Sequence, residues 1–152
     1  MSVGISVSLI DGPLERPRIS FPLEGATGVI VEFFGVVRGC ERGRSIVALD
    51  YEAYRAMAQK ELERIAEEVG DRGLCHELVL IHRIGRVPVG EPSLYLRVSA
   101  ERRGTAFRIA EEVIRRLKTD VPIWKAAVDA EADPKAAETV RESGSSRFRA
   151  PS

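Results

Sequence analysis

Only two stretches of this chain repeat apolar residues every three to four positions, and that pattern limits the fold more than anything else in the sequence. From Ala53 to about Val69 the apolar set is Tyr54, Met57, Ala58, Leu62, Ile65, Ala66 and Val69. Lys60, Glu61, Glu63, Arg64, Glu67 and Glu68 take the other side, as an amphipathic helix requires. Gly70 and Gly73 bracket its exit. The second stretch runs from Thr105, a plausible N-cap, to Leu117, with Ala106, Phe107, Ala110, Val113, Ile114 and Leu117 on one face. Pro122 forbids continuation of that helix and makes Val121 extended.

The remaining apolar residues come in short β-branched and aromatic runs. Residues 3–10 alternate and end at Asp11-Gly12-Pro13, after which residues 11–26 hold three prolines and two glycines and form an irregular connection. Gly28–Val37 is the strongest strand, and it runs into the loop Arg38-Gly39-Cys40-Glu41-Arg42-Gly43-Arg44. Residues 45–52 follow, so that 28–52 reads as a long hairpin. Residues 74–84 and 93–100 are strands joined by a connection over 85–92, and 123–128 is a last short strand. One helical turn is expected in the polar tail, near 136–141. No internal repeat is present.

The order β-β-β-α-β-β-α-β predicts an α+β fold, a largely antiparallel sheet with two main helices on one face and a short N-terminal β region. One domain is expected, divided into an N-terminal strand and connection (1–27), a core (28–130) and a polar C-terminal tail (131–152), since 152 residues can bury a core without staples. Imperfect alternation in the strands implies that part of the sheet is covered on both sides, and a partner subunit could supply the cover.

Charge then narrows the function. Lys plus Arg and Asp plus Glu are equal at 23 each, so there is no basic field to recruit nucleic acid and any anion site must be local. No apolar run approaches the roughly 18 residues needed to span a membrane, and no signal peptide is visible, which makes the cytoplasm the expected compartment. Cys40 and Cys75 form neither a disulfide framework nor a zinc knuckle. Cys75 and His76 are strand neighbours that point apart, while His76 and His82 share a face but lie roughly 20 Å apart, so no metal is expected. Cys40 among arginines could be an activated thiol, although an incidental loop cysteine explains it as well. The run FFGVVRG loosely matches one aromatic strand of an RNA-recognition motif, but its second motif is missing. There is no glycine-rich phosphate loop or nucleophile elbow.

What remains is a set of cations at element ends. Arg38 closes the strongest strand, Arg102 and Arg103 precede the second helix, and Lys118 and Lys125 bracket the Pro122–Trp124 corner. Arginine grips phosphate through two parallel hydrogen bonds, whereas a desolvated lysine can act as base or nucleophile. Two arginine sites and two lysines suit a phosphorylated small molecule held for chemistry. Each of these residues taken alone is also consistent with an ordinary surface charge.

At this point the chain resembles a known family, the large catalytic subunit of molybdopterin synthase. The segments that carry the likeness are GVIVEFFGVVRG, LDYEAYRAMAQKEL, LVLIHRIGRVPVGEPSLYLRVSAERRGTAF and RLKTDVPIWK, in one order over about residues 28–128. The resemblance implies a hammerhead-like α+β fold and sulfurtransferase activity. In that activity, two sulfurs pass to cyclic pyranopterin monophosphate, giving molybdopterin for the molybdenum cofactor. The sulfur arrives as a thiocarboxylate on the C-terminal glycine of a small ubiquitin-like subunit, whose tail enters the large subunit. Two large subunits form a central dimer with a small one at each end, and no metal or redox cofactor is implied. Carried over residue by residue, the family's lysines fall on Lys118 and Lys125 as catalytic groups. Its substrate-binding residues fall on Phe33, Arg38, Arg102, Arg103 and, in an Arg-Glu-Ser context, Arg141.

Two departures bear on these expectations. Arg102 stands where the family usually has histidine, which keeps anion binding and removes a proton-transfer group. The region before Gly28 is short and proline-rich where relatives often carry a helix. A non-catalytic paralogue that binds an anion or a partner on the same dimeric scaffold is therefore the competing expectation. Separately, about 15 residues of helix at 1.5 Å each place Arg102 and Arg103 roughly 22 Å from Lys118. One small substrate cannot bridge that distance along a straight helix within a single chain, and the resemblance implies a dimer that brings the helix-start cations of one subunit toward the lysines of the other.

Overall fold

The computed structural model describes residues 3–72 and 74–130. In chain order the elements are β1 (Gly4–Asp11), β2 (Val29–Val36), β3 (Cys40–Glu41), β4 (Arg44–Ala53), α1 (Arg55–Arg72), β5 (Cys75–Pro88), β6 (Pro92–Ala100), α2 (Arg103–Asp120) and β7 (Ile123–Asp129). The expected turn near 136–141 and Arg141 lie outside the described residues.

The expected α+β architecture holds. Among the described residues seven strands form a sheet in the order β2-β6-β5-β4-β3, with β1 pairing β5 and β7 pairing β4. All pairs are antiparallel except β1 with β5. Both helices bury their apolar stripes in one core. Leu62, Ile65 and Ala66 of α1 and Ala106, Ile109, Val113 and Leu117 of α2 meet Leu78, Leu80, Leu94, Leu96 and Val98 of β5 and β6. Fully burying one such leucine stabilises the fold by about 1.5–3 kcal/mol. Tyr54, Met57 and Phe107, assigned to the helical apolar faces by spacing, are 65%, 58% and 60% exposed, and Ile109 is buried where Phe107 was expected. A spacing pattern gives a stripe about 100° wide, but only the packed neighbours decide which edge of it is covered.

Three further expectations are corrected. Residues 28–52 are not one hairpin. β2 instead pairs antiparallel with β6, from Val29 opposite Ala100 to Phe34 opposite Tyr95. The chain reverses locally only at Arg42 and Gly43, both at positive φ, between β3 and β4. Beside β6, Val29, Val31 and Phe33 reach the helical core, which a local hairpin with β4 would deny them. Nor is 85–92 all connection, because β5 continues to Pro88. Gly85, at φ 90°, lets the strand change course there, so that Leu49 and Ala48 of β4 pair with Val87 and Pro88. Finally, Thr105 is not the N-cap of α2. Arg102 is, in extended geometry and without a side-chain cap bond, and Thr105 falls in the first turn.

The face of β6 turned away from the helices is buried too, and the chain covers part of it without a partner. Arg97 Nη1 donates to the carbonyls of Pro17 and Arg18 at 3.3 and 3.4 Å, tying the irregular connection to the sheet, and Arg97 Nε donates to Glu77 at 2.9 Å. Tyr95 donates to Glu32 at 2.7 Å, and the Arg16 guanidinium beside Glu32 holds its carboxyl down at about 2.

Candidate active site

The C-terminal end of α2 opens into a cavity of about 580 Å³, and four of the expected site residues line it together: Phe33, Arg38, Lys118 and Lys125. They come from three separate parts of the fold. β2 carries the half-buried ring of Phe33, and the chain leaving it presents Arg38, which is exposed. Lys118 sits in the last turn of α2, where the uncapped carbonyls of a helix end favour a cation. Val121 then turns extended (φ −91°, ψ 134°), Pro122 follows, and β7 starts at Ile123. β7 lies antiparallel to β4 with Lys125 opposite Tyr51. Trp124, the next residue back, stacks edge-on against Tyr54 at 4.9 Å and is half exposed.

Polar partners fix the walls. Lys125 Nζ lies 2.9 Å from Glu41 Oε1, and this contact lowers the Glu41 pKa. The Tyr51 and Ser93 hydroxyls are 3.1 Å apart, and Ser93 donates to the Gly35 carbonyl at 3.4 Å. His82 packs edge-on to Tyr51, ring centroids 5.2 Å apart, and its burial pushes the imidazole pKa below the ordinary value. The cavity thus sets three cationic side chains beside an aromatic ring and a neutral, hydrogen-bonded wall. Such a lining suits an anionic ligand.

Arg102 and Arg103 are not in this cavity. They line another, of about 720 Å³, at the opposite end of α2 with Gly28, Gly104 and Arg108. Arg102 is largely exposed and, among the described residues, ion-pairs only with Glu101, at 3.7 Å. An 18-residue helix is about 27 Å long, so the two groups of cations are separated within one chain. Among the described residues no cluster of three or more His, Cys, Asp or Glu side chains could hold a metal. His76 and His82 line different cavities despite the face expected to hold both. The strand is irregular between Cys75 and Glu77, and His76 lies 2.9 Å from the Thr27 hydroxyl. Cys40 is exposed, while Cys75 is buried and its thiol is pushed up to about 11. No described helix is long and apolar enough to cross a membrane.

Glu41, Tyr51, His82 and Ser93 belong to the cavity and were missed as site residues. His82 was considered only as a metal ligand. Its signal lay in a histidine inside an otherwise apolar strand run, and nothing local says what that ring faces.

Comparison with known proteins now decides the family. The family model described as MoaE protein matches residues 14–120. This chain belongs to the MoaE family. It is 38% identical over 130 residues to the molybdopterin synthase catalytic subunit of Pyrococcus abyssi, covering 84% of this chain and 88% of that protein. The rice relatives are longer, and the chain spans 53% of their length. Among solved structures, molybdopterin synthase from Staphylococcus aureus superposes with a TM-score of 0.64 at 34% identity, over 70% of this chain and 77% of that one. A chain of the protein–protein complex of subunits 1 and 2 of molybdopterin-converting factor from Helicobacter pylori gives 0.56 at 25% identity, over 71% and 75%. The MoaE match includes Phe33, Arg38, Arg102, Arg103 and Lys118, and ends before Lys125.

Proposed function

We propose that this MoaE-family chain is the catalytic subunit of a molybdopterin synthase. It would move two sulfurs from the thiocarboxylated C-terminus of a small ubiquitin-like partner onto cyclic pyranopterin monophosphate. The observation that carries the proposal is the meeting of Arg38, Lys118 and Lys125 beside Phe33 in one cavity. Arg38 offers a forked donor for a phosphate. Lys118, exposed at the cavity, stands against the incoming thiocarboxylate and the substrate, where it eases sulfur attack or accepts transient acyl transfer. Lys125, steadied by Glu41, acts as cation or acid/base on the opening cyclic phosphate.

Arg102 and Arg103 enter this scheme from a second large subunit. Within one chain they lie a helix length away, and in a two-fold dimer each helix start would complete its neighbour's cavity. Arg141 would add a further phosphate contact. A small subunit at each end of that dimer gives a heterotetramer. The Helicobacter pylori complex supports assembly with a second protein, and the sulfur chemistry rests on the cavity and on the relatives' names.

The test is to mix the protein with a thiocarboxylated small subunit and the cyclic monophosphate and look for the dithiolene product. Product that disappears with Lys118→Ala supports the enzyme. A dimer that binds the partner and the pterin and gives no product would instead be the non-catalytic paralogue, the reading favoured by Arg102 at the family's histidine position.

A further inference from the structure

We infer that His82 reads the ligand of this cavity: its Nε2 accepts a hydrogen bond from an N–H or O–H group of the bound molecule. The assignment begins with the ring's other nitrogen. His82 Nδ1 lies 2.8 Å from the carbonyl oxygen of Arg83. A carbonyl can only accept, so Nδ1 carries the proton, and a neutral imidazole protonated there has its lone pair on Nε2. The ring is 4% exposed, is wedged against Tyr51 and lines the cavity wall. Its burial keeps it neutral at pH 7. Among the described residues no group bonds to Nε2. Yet the one enclosed side-chain nitrogen or oxygen left without a partner there is Arg83 Nε. Nε2 therefore keeps an opening, and the cavity that His82 lines is the space we assign to it.

The neighbouring groups make that lone pair distinctive. Arg38, Lys118 and Lys125 only donate. Glu41 is engaged by Lys125, and Tyr51 donates to Ser93, whose own proton goes to the Gly35 carbonyl, leaving on Tyr51 only the weaker acceptor capacity of a phenol oxygen. His82 thus supplies an unengaged neutral acceptor in a cavity otherwise suited to anions. An occupant matching both features is an anionic heterocycle bearing an N–H or O–H group, and a bare oxyanion matches only the cations. This inference rests on the proposed function only in naming cyclic pyranopterin monophosphate as the natural occupant.

The chain contains two histidines, so 15N labelling of histidine gives a spectrum with two rings to assign. In the free wild-type protein at pH 7 the His82 ring should be the Nδ1–H tautomer with Nε2 unprotonated. An Nε2–H tautomer would overturn the inference without any ligand. Three probes follow: cyclic pyranopterin monophosphate, pterin-6-carboxylate, and sulfate as an anion with no donor. Either pterin should move the Nε2 resonance in the direction of hydrogen-bond acceptance, and sulfate should leave it in place. His82→Phe should weaken pterin binding about tenfold, the scale of one lost hydrogen bond, with sulfate affinity unchanged. His82→Gln, whose amide oxygen can occupy the Nε2 position, should recover most of the loss. Equal weakening for sulfate and pterins, or none for either, would overturn the role. Should His82→Phe not fold, the glutamine variant and the resonance shifts decide it. Wild-type protein that binds pterin-6-carboxylate through His82 and ignores the cyclic monophosphate would sink the proposed function and leave this inference standing. Binding of the cyclic monophosphate without a His82 shift would do the reverse.

Discussion

The two ends of α2 are built from the same kinds of residue and differ in what surrounds them. At the C-terminal end Leu117 is buried, Val121 is buried, and β2, β4 and β7 converge to make a cavity around Lys118. At the N-terminal end Arg102, Arg103 and Arg108 stand exposed, and Phe107 is 60% exposed. One end is an enclosed cavity within the chain. The other is a cluster of cations with little beside it among the described residues. The difference teaches that charge at a helix end becomes a site only where other elements enclose it, and among the described residues that enclosure is present at the C-terminal end alone.

The largest effect should come from the enclosed end. Lys118→Ala should lower product formation at least about a thousandfold, as expected for a group acting on the reacting atoms, and shift the melting temperature little because the side chain is exposed. Single-turnover assays and thermal melts check both halves, and near-normal turnover would remove the catalytic role. Arg103→Ala should come next, with activity reduced about a hundredfold through lost charge-assisted contacts and a higher KM. Unchanged kinetics would reduce the N-terminal cluster to surface charge.

These residues also show how much could be read from the chain in advance. Both helices and the stop at Pro122 follow from spacing and from proline geometry, which are local properties, whereas spacing left the two lysines consistent with ordinary surface charges and only the resemblance marked them as catalytic. The pairing of β2 with β6 is not local, since alternation along 29–36 says that one face is apolar and nothing about which strand lies alongside. Phe107 and Met57 were misplaced for a related reason, because each sits at the margin of a stripe whose cover depends on distant chain. His82 fits the strand pattern as a single polar interruption, and its contact with the cavity exists only once Tyr51 and α2 are in place. The separation of Arg102 and Arg103 from Lys118 was readable from helix length alone.

Stability should divide in the same way as activity. Leu117→Ala, at the enclosed end, should cost about 2–5 kcal/mol, and Phe107→Ala, at the open end, within about 0.5 kcal/mol in the isolated protein. Urea unfolding of both variants measures the contrast, and equal losses would mean that the N-terminal end is already packed. The smallest effect concerns acid. Lys125 lowers the Glu41 pKa in the folded state below its ordinary 4.5. The stabilisation from this pair is present above pH 4.5 and fades as pH falls through the folded value. Lys125→Ala should therefore narrow the gap between stability at pH 6 and at pH 3 slightly, as read from urea midpoints. An unchanged gap would mean the pair contributes nothing in solution.

The most direct measurement of the shared site is complementation between the two ends. Lys118→Ala and Arg103→Ala proteins, each nearly inactive, are mixed under conditions that let large subunits exchange, with the small subunit and substrate supplied. A mixed dimer then carries one doubly damaged site and one intact site. With random exchange, half of the dimers are mixed, and activity should rise to roughly a quarter of wild type. Verified mixed dimers that stay as inactive as the parents, while wild-type protein treated identically keeps its activity, would contradict a site built from two subunits.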